Sequence, residues 1–542
     1  MISVPPSLRP LELPGTGGSD GRLRIHGPSA AAVALLLAAL ALVLITSART
    51  PQKDDVAWLL YVARKWLGGQ RLYEDLVEVN PPLIVWIYAV PAAFAGWFDL
   101  PPRLVATPMF AGLVLASSWW SAGLLHGRAA LFARRLPVFA VLASLLILLP
   151  GEEFGQREHL LIVAALPYLI LFARALDREA EPTYGALAAG LVCGLGCALK
   201  PTYAVALLLL ELTGLLRGHN PIRRASVAAF ASMLFYGIGV LVFCPAFLEK
   251  AVPLALALYG GTDTPFWQLI LDSRRMLFGQ TVLLLLCWSN RTPLARRWPF
   301  LRHLLLALLV FAIGSGLVFV LQGKNWFYHR LPAVVATVLA LVLWIAAMVP
   351  HRLRAPFGLG RLALPMTLAL GALALFLQTD VQRLSHWVQL AVEPDQSTEM
   401  KLEQLIRKRH AHTYIAFSEW IGLGFPVVDN TGVTWASRFD SMWALKGELW
   451  RARQDGAAPR DWPIRRWVAR DFVAGCPDLA VVDSRGGINW IAVLVASEPD
   501  FAFAWSHYHE IAAFDGLRVL QREGLGCTPA TRPQTLSSVE MP

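Results

Sequence analysis

Charge is what this chain has least of: Asp, Glu, Lys and Arg supply 16% of its 542 residues, against 56% hydrophobic residues. Soluble domains carry about a quarter of their residues as charges, so a soluble globule is excluded. Cysteine is also sparse, at six residues, which excludes a disulfide-built scaffold. Cys193 and Cys197 sit four apart inside an apolar run, without the further ligands a metal would need, and read as packing residues. Cys476 and Cys527 fall in the polar C-terminal region and can pair if that region faces an oxidising compartment. Internal repeats are lacking, and no small-residue cleavage site follows the first apolar run, which is therefore read as a retained span. The net charge of +10 is scattered over short loops; membrane anchoring accounts for it, and nucleic acid is not an expected partner.

What is present is a series of long apolar runs. A helix crossing the hydrocarbon needs about 20 mostly apolar residues. By that measure there are eleven spans, some of them short: Ala30 to Ser47, Leu104 to Leu125, Leu136 to Leu149, Leu160 to Leu176, Tyr184 to Leu199, Tyr203 to Leu216, Ala225 to Phe243, Met276 to Trp288, Leu304 to Leu321, Leu331 to Val349 and Leu362 to Leu377. Basic residues favour the cytoplasmic side. Arg9, Arg22 and Arg24 hold the N-terminus there, and the loops His126 to Arg135, Arg174 to Arg178, Arg217 to Arg224, Arg291 to Arg302 and His351 to Arg361 follow. This threading allows a single crossing between Arg49 and Gly127. The apolar stretch Pro81 to Trp97 is then an interfacial or half-inserted helix on the outer face.

The expected organisation is a cytoplasmic tail over 1–28, a transmembrane catalytic domain over 29–378, a periplasmic soluble domain over 379–527 and a disordered tail over 528–542. Short β-like runs, Thr413 to Phe417 and Leu479 to Val482, alternate with amphipathic stretches such as Met400 to Arg409, so the soluble domain is expected to be α/β.

This threading brings the polar interruptions of the apolar runs to one face. The first outer loop carries Asp54 and Asp55, a pair able to act as general base or to ligate a divalent cation. Asp also favours helix N-termini for purely structural reasons. The second loop, Gly151 to His159, packs Glu152, Glu153, Arg157, Glu158 and His159 into one turn between spans, where ionisable groups are costly and usually face a cavity. Lys200 ends the fifth span, where an ammonium either binds phosphate or snorkels. The run Gln322 to Pro332 adds Lys324, Tyr328, His329 and Arg330, a mixture suited to a phosphate flanked by a sugar ring, and also to an ordinary interfacial aromatic belt.

In this order, the motifs resemble the GT-C class of membrane glycosyltransferases, in the branch of the protein O-mannosyltransferases and lipid A aminoarabinose transferases. The matching residues are Asp54-Asp55, Tyr61, Gly68-Gly69, Pro81-Pro82-Leu83 with Trp86, Arg103-Leu104, the basic loop ending Arg134-Arg135, the acidic second loop and the small-residue helix ending in Lys200. The chain departs from the pattern at Asn80, where the aminoarabinose branch has lysine, and in having Asp-Asp for Asp-Glu.

The resemblance implies an α-helical polytopic enzyme of a bacterial inner membrane. It would be a hexosyl- or pentosyltransferase moving a sugar, with inversion, from a polyprenyl-phosphate donor to a glycolipid, polysaccharide or protein on the periplasmic face. Asp54 or Asp55 would be the base. Arg157, Lys200, Lys324, His329 and Arg330 would hold the donor phosphate. Glu152, Glu153 and Glu158 would either orient the acceptor or hold a cation such as Mg or Mn, and Tyr61, Tyr73, Pro82, Trp86 and Tyr328 would contact sugar or lipid. The competing readings are a ligase or polymerase using a lipid-diphosphate donor and, more distantly, a lipid or sugar transporter, which often shows paired repeats and midplane charges.

Overall fold

The computed structural model describes residues 27–289, 298–354, 359–394, 397–455, 462–524 and 527. Nearly all of the expected cytoplasmic tail, most of the basic loop from Arg291, part of that from His351, and the tail after Cys527 lie outside these residues. The chain is an α-helical polytopic membrane protein with a C-terminal α/β domain.

Among the described residues, fifteen α-helices build the membrane part: α1 (Gly27–Arg49), α2 (Asp54–Leu67), α3 (Pro82–Trp97), α4 (Pro102–Leu125), α5 (Arg135–Leu148), α6 (Arg157–Leu176), α7 (Thr183–Ala198), α8 (Ala204–Leu216), α9 (Arg224–Phe243), α10 (Val252–Leu258), α11 (Phe266–Asp272), α12 (Arg274–Ser289), α13 (Pro299–Gln322), α14 (Phe327–Arg354) and α15 (Leu359–Val392). A helix stands at each of the eleven apolar runs. Seven described helices are long and apolar enough to cross a membrane, and α3, α5, α7 and the segment 201–216 are shorter apolar helices. The stretch read as interfacial is α3, which starts with Pro82 at its first position, where the missing N–H costs nothing. It packs on α2.

Two packing features position the site. Helix α6 is buried along almost its whole length, so the residues at its N-terminus are held by neighbours on every side. Helix α7 lies against α9 through Gly190 and Gly194; a Cβ at these positions would come within 2.1 Å of Ala225 O and 2.2 Å of Ala229 O. Small residues spaced by four let two backbones approach closely, and this fixes the end of α7, where Lys200 follows.

The expected boundary between residues 378 and 379 falls inside α15, which runs on unbroken to Val392. Past this point the helix runs along the acidic loop. Arg383 Nη2 donates to Pro150 O at 3.3 Å, and Trp387 Nε1 donates to Thr50 Oγ1 at 3.1 Å.

The soluble domain has a five-stranded sheet in the order β2-β1-β3-β5-β4, formed by β1 (Thr413–Phe417), β2 (Thr434–Trp435), β3 (Leu479–Asp483), β4 (Tyr508–Phe514) and β5 (Leu517–Arg522). Strands β2, β1 and β3 are parallel, and β5 and β4 add antiparallel to β3. Cys476 and Cys527 form a disulfide, and Cys193 and Cys197 are free and buried.

The domain docks on α2 and on the loop that joins α2 to α3. Val77 N donates to Arg438 O at 2.9 Å, Arg64 pairs with Asp429, and Phe425 packs edge-on against Trp58 with ring centroids 4.9 Å apart. Arg438 is itself held by a bidentate pair with Asp471, the two side chains being 3% and 1% exposed. Breaking a buried pair strands a charge and costs about 3–5 kcal/mol. Asp471→Ala should therefore lower the melting temperature of the soluble domain and loosen its seat on the first outer loop, as read by thermal unfolding and limited proteolysis; wild-type stability would contradict this.

Candidate active site

The loops at one end of the helical bundle and the facing edge of the soluble domain border an open cavity of about 640 Å³. Asp54 and Asp55 begin α2, where the positive end of the helix favours carboxylates. Asp54 Oδ1 accepts the Asp55 N–H at 2.9 Å, and Asp54 Oδ2 accepts the Trp420 indole N–H at 3.2 Å. Gln156 Nε2 donates to Asp55 Oδ2 at 3.2 Å and to Glu153 Oε2 at 3.4 Å. Lys53 Nζ lies 3.5 Å from Asp54 and 3.6 Å from Glu153. The two acidic loops are thus one network, tied through Gln156 and Lys53.

Cations line the other side of the cavity. Arg157 is buried at the start of α6, and its Nε finds no hydrogen-bond partner among the described residues. Lys200 Nζ donates to Glu158 Oε1 at 2.6 Å, and His329 Nε2 lies 3.8 Å from the same oxygen. Arg157 and Lys200 both approach the Tyr328 ring, at 5.9 and 5.8 Å from its centroid. The Tyr203 hydroxyl donates to His329 O at 2.6 Å, fixing the start of α14 against the residues after Lys200.

The expected residues separate on inspection of this geometry. Asp54, Asp55, Glu153, Arg157, Lys200, Lys324, Tyr328 and His329 line the cavity. Glu152 lines a smaller adjoining cavity that also reaches Asp54. Glu158 stands behind Lys200 as its buried partner. Lys324 is engaged by Tyr259 O, Thr262 Oγ1 and Asp263, so it also braces the segment before α11. Arg330 donates to Asp272 O at 2.8 Å and lines a separate cavity beside α12 and α15. Tyr61 packs on Trp58 and Phe425, the Tyr73 hydroxyl donates to Asn80 O at 2.5 Å, Pro82 is buried at the head of α3, and Trp86 meets Tyr236. These four support the walls and do not line the main cavity.

Sequence reasoning missed several lining residues. Trp58 and Glu78 are joined by a 2.5 Å hydrogen bond on the first loop, and Tyr259, Glu419, Trp420, Asp440 and Trp443 complete the walls. The aromatic-rich stretch Thr434 to Trp450, which contains Asp440 and Trp443, was the available signal in the soluble domain. Among the described residues, no three His, Cys, Asp or Glu side chains gather into a group able to hold a metal ion.

Electrostatics follow from burial. Burial, then repulsion from Asp54, raises the Asp55 pKa, with Arg157, Lys53 and Gln156 opposing. Burial pushes Glu153 up to about 8 and, helped by Glu78 and Asp55, Asp440 up to about 8. Burial works against the Lys53 ammonium, but the surrounding carboxylates, Asp54 and Glu153 foremost, hold its pKa well above the usual lysine range. For Lys200 burial wins over its pairing with Glu158, aided by repulsion from Arg157, and its pKa falls to about 8. The arrangement offers a carboxylate of raised basicity, a guanidinium and a titratable ammonium on the walls of one cavity.

The fold and cavity define the class: a polytopic membrane protein with a charged cavity between its helical bundle and a C-terminal domain. Structural neighbours of the chain are GT-C glycosyltransferases. They include ArnT from Cupriavidus metallidurans, bound to undecaprenyl phosphate (TM-score 0.48) and in the apo state (0.49), each 13% identical over 92% of this chain and 99% of that one. The oligosaccharyltransferase of Archaeoglobus fulgidus, in complex with Zn and sulfate, matches at a TM-score of 0.40 with 13% identity over 88% of this chain and 71% of that one. No family model and no curated protein matches the sequence. Similarity at this level assigns no role to any residue here.

Because burial lowers the Lys200 pKa to about 8, affinity for an anionic probe such as inorganic phosphate, measured by calorimetry on the detergent-solubilised protein, should fall as the pH rises through about 8. Glu153 and Asp440 gain negative charge in the same range and push in the same direction. Lys200→Arg isolates the lysine's share, because a guanidinium keeps its charge. The variant should retain more of its affinity at pH 9 than the wild type does; an identical decline in both would contradict this.

Proposed function

We propose that this protein is an inverting glycosyltransferase that moves a sugar from a polyprenyl-phosphate donor to an acceptor hydroxyl on a glycolipid, polysaccharide or protein. The observation that carries the reading is that Asp55 and the two cations Arg157 and Lys200 line one cavity, with the Arg157 Nε unpartnered among the described residues. A base and a phosphate-binding pair facing a shared space are what a single displacement at an anomeric carbon needs.

In this reading Asp55 takes the proton from the acceptor hydroxyl. The resulting oxygen nucleophile attacks the anomeric carbon opposite the bond to the lipid phosphate. That C–O bond breaks, its electron pair passes to the phosphate, and the sugar inverts. Arg157 and Lys200 stabilise the charge growing on the phosphate, a contribution that is larger in a water-poor site than in bulk water. Asp55 is preferred to Asp54 because both Asp54 oxygens are already engaged, by the Asp55 N–H and the Trp420 indole. Burial raises its pKa, which makes it a stronger base than an ordinary aspartate. Glu158 holds Lys200 in place, and Glu153 and Gln156 orient Asp55. Divalent-cation assistance, with Glu152 or Glu153 as a ligand, belongs to the same proposal as an alternative use of the carboxylates.

The outward side of the site is supported by two features. The basic loops fall at the opposite ends of the spans from the acidic ones, and the Cys476–Cys527 disulfide fits an oxidising compartment such as the periplasm. Polyprenyl-phosphate use draws support from the cation pair, and a sugar ring beside it from Tyr328, Trp326 and Trp58 on the walls.

The test is transfer from radiolabelled polyprenyl-phosphate sugars by the purified protein. Loss of one general base costs about a hundred- to ten-thousandfold in rate, so Asp55→Asn should lower turnover by that factor while affinity for polyprenyl phosphate is kept. Asp54→Asn should cost less. Near-normal turnover in both variants would end the base assignment, and consumption of only lipid-diphosphate donors by the wild type would favour a ligase.

A further inference from the structure

The soluble domain carries a second cavity, of about 340 Å³, at the end of its sheet that faces the catalytic loops. Strands β1 and β3 run parallel and side by side, ending at Phe417 and Asp483. From β1 the chain crosses to β2 on one side and returns to β3 on the other. The crevice beyond these two strand ends is therefore a topological switch point, the place where open α/β sheets bind ligands. Its lining comes from Asp483 at the end of β3, from Glu419, Trp420, Arg485 and Gly486 just past the two strands, and from Trp490.

The chemistry of that lining is selective. Asp483 accepts from Arg485 Nε at 2.8 Å and Nη2 at 2.9 Å, and from Ser418 Oγ at 2.6 Å. Glu419 pairs with Lys446. Each acid of the lining is thus paired with a base, which leaves an ionic ligand no unpaired counter-charge among the lining residues. The Arg485 guanidinium stands 5.2 Å over the Trp420 ring. Planar donors and acceptors beside an indole face suit vicinal hydroxyls and the C–H face of a neutral sugar. The volume lies in the lower range of small-molecule clefts, roughly 300–1,000 Å³.

Trp420 connects this cavity to the chemistry. It lines this cavity, the main cavity and the smaller one beside Glu152, and its indole N–H donates to Asp54. Glu419 is likewise shared with the main cavity.

We propose that the crevice at the ends of β1 and β3 is an acceptor subsite for an uncharged saccharide. It holds a sugar unit of the acceptor beyond Trp420 while the hydroxyl to be glycosylated reaches Asp55. The assignment as an acceptor subsite rests on the glycosyltransferase reading; the saccharide site itself is tested separately. The full-length protein in detergent is titrated calorimetrically with neutral tetrasaccharides of glucose, mannose, galactose and N-acetylglucosamine. At least one should bind the wild type. Arg485→Ala, which removes an exposed donor, and Gly486→Leu, which fills the cavity without changing charge, should each weaken it at least tenfold and leave polyprenyl-phosphate affinity unchanged. Retained phosphate affinity shows that either variant is folded. Absence of binding by every tetrasaccharide, or equal binding by wild type and both variants, overturns the subsite. Saccharide binding that the variants lose, without sugar transfer by the wild type, would leave the binding site standing and remove the transferase reading.

Discussion

The placement of charge at one edge of an apolar bundle governs the rest of the structure. A buried guanidinium or ammonium is tolerated only when carboxylates or a ligand compensate it, and here Arg157 and Lys200 are held at the heads of two neighbouring helical segments with Glu158 between them. The counter-charges come from separate segments: Glu158 from the head of α6, and Asp55 and Glu78 from the segment between α1 and α3. None of these groups is stable in its place alone. The loops must close on one another, and the cavity is what remains between them.

The helices serve this arrangement. Close contact of α7 with α9 through Gly190 and Gly194 sets the height of Lys200. The deep burial of α6 denies Arg157 an escape to solvent. Extension of α15 past the apolar layer lets Arg383 and Trp387 grip the second loop and the end of α1. The soluble domain then closes the top, with Trp420, Asp440 and Trp443 as lining, so it is part of the site as well as its cover.

The helical bundle was legible in the sequence because a twenty-residue apolar run has few alternatives in a membrane protein. The α/β character of the soluble domain was legible from β1, β3 and the helix over Thr398–Arg409. The polar clusters were legible too, since ionisable residues flanking apolar runs have few structural uses. What failed was direction. Tyr328, His329 and Arg330 are consecutive, and each step turns a helix by about 100°; the first two face the main cavity while Arg330 faces another. Along α2, Asp54, Asp55 and Trp58 share the cavity face and Tyr61 turns toward Phe425. Trp420 was invisible for a different reason: it meets Asp54 across 366 residues of chain, and no local pattern encodes such a pairing. The expected boundary at 378–379 falls within α15, which changes composition without breaking.

The most direct measurement is an electron cryo-microscopy map of the full-length protein with polyprenyl phosphate bound. The account predicts headgroup density inside the main cavity, with phosphate oxygens about 3 Å from Arg157 and Lys200 and the open coordination side turned toward Asp55. A headgroup seated elsewhere, for instance beside Arg330 and Arg275, would contradict it.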